Sequence, residues 1–552
     1  MFFWRLGLRI AVFPQPLGLN PPSHYRVADS VAWNAKPLTR EYPLQFWSRF
    51  TSRMSPPVFI GSALCVIAFC LFGGLYTATA SEAFSSAQQF ISRSFGWYYA
   101  LIVTAFVAFA FWLMISPYGR LRLGPPDSRP EFGYPAWFAM LFSAGMGTGL
   151  VFWGVAEPLY HYTNPLFAEG DTPGAAVEAM RYTFFHWGLH PWAIYILFGV
   201  AIAYFHFRHE LPLAPRSILH PLIGRRIEGP IGHGVDILCT VGTLLGVSTS
   251  LGLGAMQINS GVAEYYDAVS VDVKTAILII ALITFVATLS VVSGIKGGIR
   301  RLSQLNLILS GLLLLFVFLA GPTIYILETY VGTLGLYLQN LPSMSLWVDY
   351  TRDNDWQANW TLFYWGWWIS WSPFVGIFVA RISYGRTIRE FILTVLIVPT
   401  LGTFFWLAVF GGTALHIEIF GDGGLLTRVR DDVAVSLHAL LSHLPFANIT
   451  MLLATFVIIV FFITSSDSGS LVDDIVTSGG HPNPAKPQRV FWAVSEGTVA
   501  AILLYVGGLT AIQHASISMG FLMSFLLVII CISLVKAFRN ENIQSKENAN
   551  GD

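Results

Sequence analysis

Charge is what this chain lacks most. Only 11% of its 552 residues are Asp, Glu, Lys or Arg, against roughly 25% in soluble domains. With 54% hydrophobic residues, this excludes an ordinary soluble globule and points to a chain crossing a membrane many times. Net charge is missing too. Basic and acidic residues number 31 each, so no excess draws a nucleic acid. Cysteine is scarce: Cys65, Cys70, Cys239 and Cys531 lie in apolar segments without a CxxC pair, which argues against a thiolate metal cluster. The spacing of His, Asp and Glu gathers no mid-membrane catalytic group, which argues against an intramembrane enzyme. His186 and His190 are four apart but have no third ligand, and read as structural.

Long apolar runs are plentiful instead. Twelve can be drawn: Val58–Tyr76, Trp97–Ile115, Tyr134–Val155, Phe184–Tyr204, Val235–Gly261 and Ala276–Val292, then Leu305–Ile326, Trp360–Ala380, Phe391–Phe410, Ile449–Thr464, Phe491–Val506 and Ile517–Val535. With both termini cytoplasmic, 15 basic residues fall in inner loops, six in outer loops and the remaining ten in the tails, as the positive-inside rule requires. The expected fold is therefore an all-α polytopic membrane protein of twelve spans. Its regions are an inner tail (1–55), two peripheral spans (56–130), a first repeat (131–330), an outer connection (331–358), a second repeat (359–536) and a short inner tail (537–552). The apolar opening is interrupted by Arg5 and Arg9 and has no small-residue cleavage site. It reads as a cytoplasmic tail, or as an over-long start with Met54 the initiator, and not as a signal peptide. The polar stretch after Val535 reads as disordered.

Two spans carry helix-breaking residues. SAGMGTGL (Ser143–Leu150) places glycines at alternate positions, each costing about 1 kcal/mol relative to alanine in a helix. The eighth span carries Ser370, Ser372, Pro373 and Gly376. Spans three and eight run in opposite directions. Two five-helix units of opposite topology, each opening on a discontinuous helix, match the inverted-repeat plan of secondary transporters, where substrate binds at mid-membrane between the breaks. No residue-level repeat supports this; break placement and topology do.

Tryptophan clusters in two stretches near those breaks. FHWGLHPWAIY holds Trp187, Trp192 and Tyr195, and WTLFYWGWWISW holds Trp360, Trp365, Trp367, Trp368 and Trp371. Trp187, Trp192 and Tyr195 share an arc of roughly 140° if their helix continues through Pro191. Trp371 shares a face with Trp367 and Trp368, while Trp360 and Trp365 fit the outer interface belt. Indole faces bind cations without a charged residue, best of all quaternary ammonium groups. Glu157 and Asp467 are intramembrane carboxylates and so functional candidates, although a solvated or capping role near a helix end serves as well.

The stretches GMGTGLVFWGVAEP, FHWGLHPWAIY, SLGLGAMQI, WTLFYWGWWISWSPFVGIFVARISYGRTIREF and FFITSSDS resemble the betaine/carnitine/choline transporter family, with similarity from about Pro57 to Val535. The resemblance implies twelve helices, a five-plus-five inverted repeat and a homotrimer in a bacterial cytoplasmic membrane. It implies an ammonium cage of Trp187, Trp192, Tyr195, Trp368 and Trp371, with Trp367 beside it. The glycine stretch Gly145, Met146, Gly147 and Gly149 would face the substrate carboxylate with backbone amides. Gly149, where choline-type members tend to carry Asp, suits a zwitterion such as glycine betaine; dimethylsulfoniopropionate or ectoine would fit a similar box. The resemblance also implies a coupling sodium ion, held by Ser143, Met146 and Phe461 carbonyls and by Thr464 and Ser465 hydroxyls, with no other cofactor. A second sodium site would use Thr243 and Phe374, but Val247 stands where a threonine is expected. The alternatives within the family are a proton-coupled choline carrier and a sodium-independent exchanger; outside it, a channel.

Overall fold

The computed structural model describes residues 53–550 apart from 146, 267, 294, 295, 352, 353, 482 and 483. It describes only the backbone at 142–145, 290–293, 296–301 and 542–550. Most of the expected inner tail, residues 1–52, lies outside the described residues.

The described residues are helical, and their one isolated extended pairing joins Arg122 to Thr387. Helices of ten or more residues are numbered in order. They are α1 (Pro56–Leu75), α2 (Thr77–Ile115), α3 (Tyr134–Gly145), α4 (Thr148–Thr163), α5 (Pro173–Trp187), α6 (Leu189–Ala203) and α7 (Pro230–Ala263). They continue with α8 (Val273–Ser293), α9 (Lys296–Ala320), α10 (Thr323–Ser345), α11 (Phe363–Arg381), α12 (Ile388–Phe420), α13 (Ala447–Thr477) and α14 (Lys486–Asn550).

Eight helical segments among the described residues are long and apolar enough to cross a membrane. The drawn third span is split between α3 and α4, and the last two fall within α14, which loses helical geometry at Gly507 and Gly508. Apolar composition alone does not order these segments; burial does. The apolar window of the α5–α6 segment is fully buried, whereas that of α9 is only 22% buried. α9 turns Ile308, Leu312, Leu315 and Leu319 outward, as a lipid-facing helix does. α5 and α6 therefore form the centre, with α2, α4, α10, α11 and α12 packed on them.

The first break forms where the glycines place it. α3 ends at Gly145, Gly147 is fully extended (φ −161°, ψ 179°), and α4 starts at Thr148. The expected break at Ser370–Pro373 does not form: α11 runs through Pro373 without interruption. Proline removes the N–H that the Ile369 carbonyl would accept. The Ser372 hydroxyl donates to that same carbonyl at 2.7 Å, and the Ser370 hydroxyl donates to Trp367 O at 3.1 Å. The side chains thus repair locally what proline takes away, so only the third span is discontinuous in the manner expected.

A break appears elsewhere. The fourth span bends at Gly188 (φ −89°, ψ −132°), between α5 and α6. Helix geometry does not run continuously from Trp187 to Tyr195, contrary to the premise of a shared arc. Pro191 falls in the first turn of α6, where no intrahelical N–H bond is lost. The tail after Val535 is not disordered either. α14 continues to Asn550, and the Glu541 carboxylate accepts from Arg208 Nε at 2.7 Å and from the Tyr204 hydroxyl at 2.6 Å.

Replacing Ser372 with Ala strands the Ile369 carbonyl in an apolar setting, at a cost of about 1–3 kcal/mol. Thermal melts of purified protein should show a lower midpoint for Ser372→Ala and a near-normal one for Ser372→Thr. Equal midpoints for Ser372→Ala and the parent would refute this account of the unbroken helix.

Candidate functional site

α11 is an uninterrupted helix carrying aromatic rings on one face at i, i+3, i+4 and i+7: Tyr364, Trp367, Trp368 and Trp371. Their planes are nearly parallel. Trp367 and Trp368 have centroids 4.6 Å apart at 17°, and Trp367 and Trp371 lie 6.3 Å apart at 25°. The rings of the kinked fourth span stand across them. Trp187 meets Trp368 at 4.9 Å and 69°, and Tyr195 meets Trp371 at 6.4 Å and 77°. Trp192 stands edge-on to Tyr195 at 5.6 Å. The kink at Gly188 does not scatter the set, since the rings before and after it meet the same stack.

All of these rings except Tyr364 border a hollow together with Gly147, Gly149, Leu150, Pro191 and Thr403. Two polar atoms on its walls, the Tyr195 hydroxyl and Trp371 Nε1, are buried with no hydrogen-bond partner in the protein. Buried donors are normally paired, so these two are available to a ligand. No Lys, Arg, Asp or Glu is among the lining residues. The hollow offers π faces to a cation and a few N–H and O–H donors to an anion.

The broken helix supplies further donors. α4 begins at Thr148 with Gly147 at its cap, and glycine has no side chain to occupy the opening N–H groups. Such an end favours an anion. Gly149 is required for another reason: a Cβ there would lie 2.3 Å from Trp367 Cη2. The missing side chain lets the Trp367 ring lie against the α4 backbone. A second hollow lies beyond Phe374, which stacks on Trp371 at 5.5 Å; it is lined by apolar residues of α11 and α13, with Ser468 and Arg381.

All six aromatic candidates, Trp187, Trp192, Tyr195, Trp367, Trp368 and Trp371, border the first hollow, as do Gly147 and Gly149. Gly145 ends α3, and Met146 lies outside the described residues. Of the sodium candidates, Ser143 lies in α3 with its side chain undescribed. The Thr464 hydroxyl donates back to its own helix, to Val460 O at 2.9 Å and Phe461 O at 3.2 Å. Ser465 is half-buried and Thr243 is buried, while Val247 packs against Gly469, where an added Cβ would lie 2.9 Å from it.

Three expectations change. Trp365 does not sit in an interface belt: it is buried and stacks on His190 at 5.0 Å. Trp360, in a π-helical turn, packs on His161 at 4.4 Å. Packing of α11 on its neighbours buries the Trp365 ring, while Trp360, in the turn before α11, is half-buried. Glu157 and Asp467 are not solvated caps, for both carboxylates are buried. Glu157 accepts from the Trp187 indole N–H at 2.8 Å and the Tyr364 hydroxyl at 2.5 Å, with His186 Nδ1 at 2.7 Å and His161 Nε2 at 3.3 Å.

Glu157, His161 and His186 therefore form the close His/Glu group that sequence spacing did not reveal. Two ligands of a tetrahedral zinc ion, each about 2.0 Å from it, stand about 3.3 Å apart. The 2.7 Å contact is instead a hydrogen bond. Tyr364 and His161 escaped the sequence reading. Tyr364 had a signal, since it lies one turn before Trp368 on the cage face; His161 had one only in its i, i+4 spacing from Glu157.

A family model described as BCCT, betaine/carnitine/choline family transporter, matches residues 57–543. The chain is 44% identical over 480 residues to the glycine betaine transporter OpuD of Bacillus subtilis, covering 86% of this chain and 93% of that protein. It is 43% identical over 500 residues to a glycine betaine transporter of Acinetobacter baylyi, covering 90% and 75% of the two. It is 42% identical over 495 residues to a glycine betaine/proline/choline/ectoine transporter of Vibrio parahaemolyticus, covering 88% and 87%.

The contact between Gly149 and Trp367 has a measurable consequence. Gly149→Ala overpacks the site and should destabilise the protein by about 1–3 kcal/mol. Adding Trp367→Leu should recover part of the lost melting temperature. If the double variant melts at the additive position, the two residues do not oppose each other as described.

Proposed function

We infer the function from one premise: the chain belongs to the betaine/carnitine/choline transporter family. It is a membrane transporter and not an enzyme, and its solute is a small one of the betaine type. We propose that the solute is a quaternary-ammonium zwitterion, most simply glycine betaine. The observation that carries this is the hollow between α6 and α11. Its walls are electron-rich rings with no charged side chain, and its two unpartnered donors are Tyr195 OH and Trp371 Nε1. A methylated ammonium has no N–H to donate, so ring faces suit it where a carboxylate is not needed. The carboxylate of the same molecule suits the N-terminus of α4 and those donors.

We propose sodium symport by alternating access, with twelve spans, a five-plus-five inverted repeat, a homotrimer and both termini in the cytoplasm. Sodium is favoured by oxygen ligands without a carboxylate: the Phe461 carbonyl with the Thr464 and Ser465 hydroxyls, Ser143 and Met146. A back-bonded Thr464 hydroxyl donates its hydrogen to the helix but keeps lone pairs for a cation. A cation there joins the broken third span to α13, which gives the ion a way to favour one state over another. Import of such a solute would serve osmoprotection.

The test is uptake of labelled glycine betaine by proteoliposomes. An inward sodium gradient should drive accumulation. Equal uptake with and without the gradient removes the coupling, and no saturable uptake removes the solute assignment. Trp371→Ala takes away one ring face worth about 1–2 kcal/mol, so the KM for betaine should rise roughly tenfold. Gly149→Asp should raise choline uptake relative to betaine uptake. Its total rate should also fall, because the new side chain displaces Trp367; an unchanged ratio refutes the role given to Gly149.

A further inference from the structure

The cage itself holds no charge, but a charge lies directly behind its wall. Glu157 on α4 is fully buried, one indole away from the hollow. Both of its oxygens are occupied. Oε2 accepts from Trp187 Nε1 at 2.8 Å and Tyr364 OH at 2.5 Å; Oε1 faces His186 Nδ1 at 2.7 Å and His161 Nε2 at 3.3 Å. An indole N–H and a phenol directed at an acceptor, plus two imidazole nitrogens, give four contacts on one carboxyl group. With both imidazoles donating, that is the set an ionised carboxylate takes, whereas a protonated acid would give its own hydrogen to one of them. None of the four partners is a lysine or arginine. His186 reaches Thr361 Oγ1 at 3.0 Å through its other nitrogen, so a neutral imidazole donating to Glu157 can accept from that hydroxyl. His161 Nδ1 has no partner, as the bare nitrogen of a neutral imidazole allows.

Resting on the betaine reading above, we propose that Glu157 is the positioning and charge-selecting residue of the cage. It fixes the Trp187 indole through its N–H and Tyr364 through its hydroxyl. Its negative charge, in a low-dielectric surround, enriches the ring face that the ligand meets. Its field also reaches the ligand, because nothing basic intervenes. The carboxylate does not touch the solute. It makes the cage favour a cationic head over an uncharged one of the same shape.

The test is competition against labelled glycine betaine on purified full-length protein. The competitors are unlabelled betaine and 3,3-dimethylbutanoate, which carries a neutral tert-butyl group in place of the trimethylammonium. The parent protein should prefer betaine strongly. In Glu157→Gln that preference should shrink about tenfold. In Glu157→Asp, which keeps the charge, it should stay within about twofold even if both ligands bind more weakly. Loss of folded protein alone lowers the number of sites and leaves the preference ratio unmoved. If Glu157→Gln fails to fold, Tyr364→Phe, which keeps the charge and every ring that lines the hollow, should hold the ratio within about twofold, and a larger loss there overturns the role given to the charge. An unchanged ratio in the folded variant, or an equal loss in the Gln and Asp variants, overturns the proposal. Failure of the parent protein to bind betaine removes the underlying function instead.

Discussion

Four polar side chains converge on one buried carboxyl group, that of Glu157, and this convergence organises the centre of the protein. The partners of Glu157 come from three helical segments. His161 is on its own helix, His186 and Trp187 are on α5, and Tyr364 is on α11. The group thereby ties the broken third span to two of the three helices that supply the rings, α5 and α11. Removing any one partner leaves a strongly polar atom in an apolar interior, where the cost is several times that of a surface hydrogen bond. The rings are positioned as much by this demand as by their own packing.

Glycine allows the opposite kind of contact, in which nothing polar is exchanged and backbone simply comes close. Gly366 lies between Trp365 and Trp367, and an added Cβ would lie 2.8 Å from Ser516 O. Gly520 on α14 would need a Cβ only 2.4 Å from the Gly366 Cα. This glycine contact seats α11 against α14 and turns the aromatic face of α11 toward the fourth span, in the manner of small residues at helix interfaces in membranes. On the other side Gly149 gives Trp367 its place. Between these two close approaches the α11 stack has little room to rotate. Asp236, Asp473, Asp474 and Glu496 are also buried, but they lie outside this arrangement.

The aromatic face could be read from the sequence because helical periodicity is a local property: Trp367, Trp368 and Trp371 share a face wherever the helix goes. The glycine break could be read for the same reason. Pro373 was misleading because a proline's effect depends on what replaces the lost donor, and here the serine one position before it restores the bond. Gly188 gave no sign in a span that reads as an ordinary apolar run. Its kink is set by tertiary crowding: an added Cβ would lie 2.6 Å from the Tyr337 hydroxyl and 2.9 Å from Phe404 Cζ. Glu157 lies inside α4 (Thr148–Thr163) and not near a helix end, and its burial depends on partners as far as 207 positions away. Spacing along the chain carries no record of such contacts.

The two interruptions next to the cage differ in the room they leave. Gly188 is enclosed by Tyr337, Phe404 and the Phe184 carbonyl, so a change of its angles requires several packed groups to shift together. It holds Trp187 in fixed relation to Trp192 and Tyr195. Gly147 has no atom within 4 Å of where a Cβ would stand. Among the described residues, the Gly147 position is therefore the less crowded of the two interruptions. α4, downstream of that junction, carries Glu157 and through it grips Trp187 and Tyr364. Hydrogen bonds from Trp187 and Tyr364 to Glu157, and the bare backbone of Gly149 against Trp367, tie α4 to the aromatic wall, and the opening residues of α4 line the hollow itself.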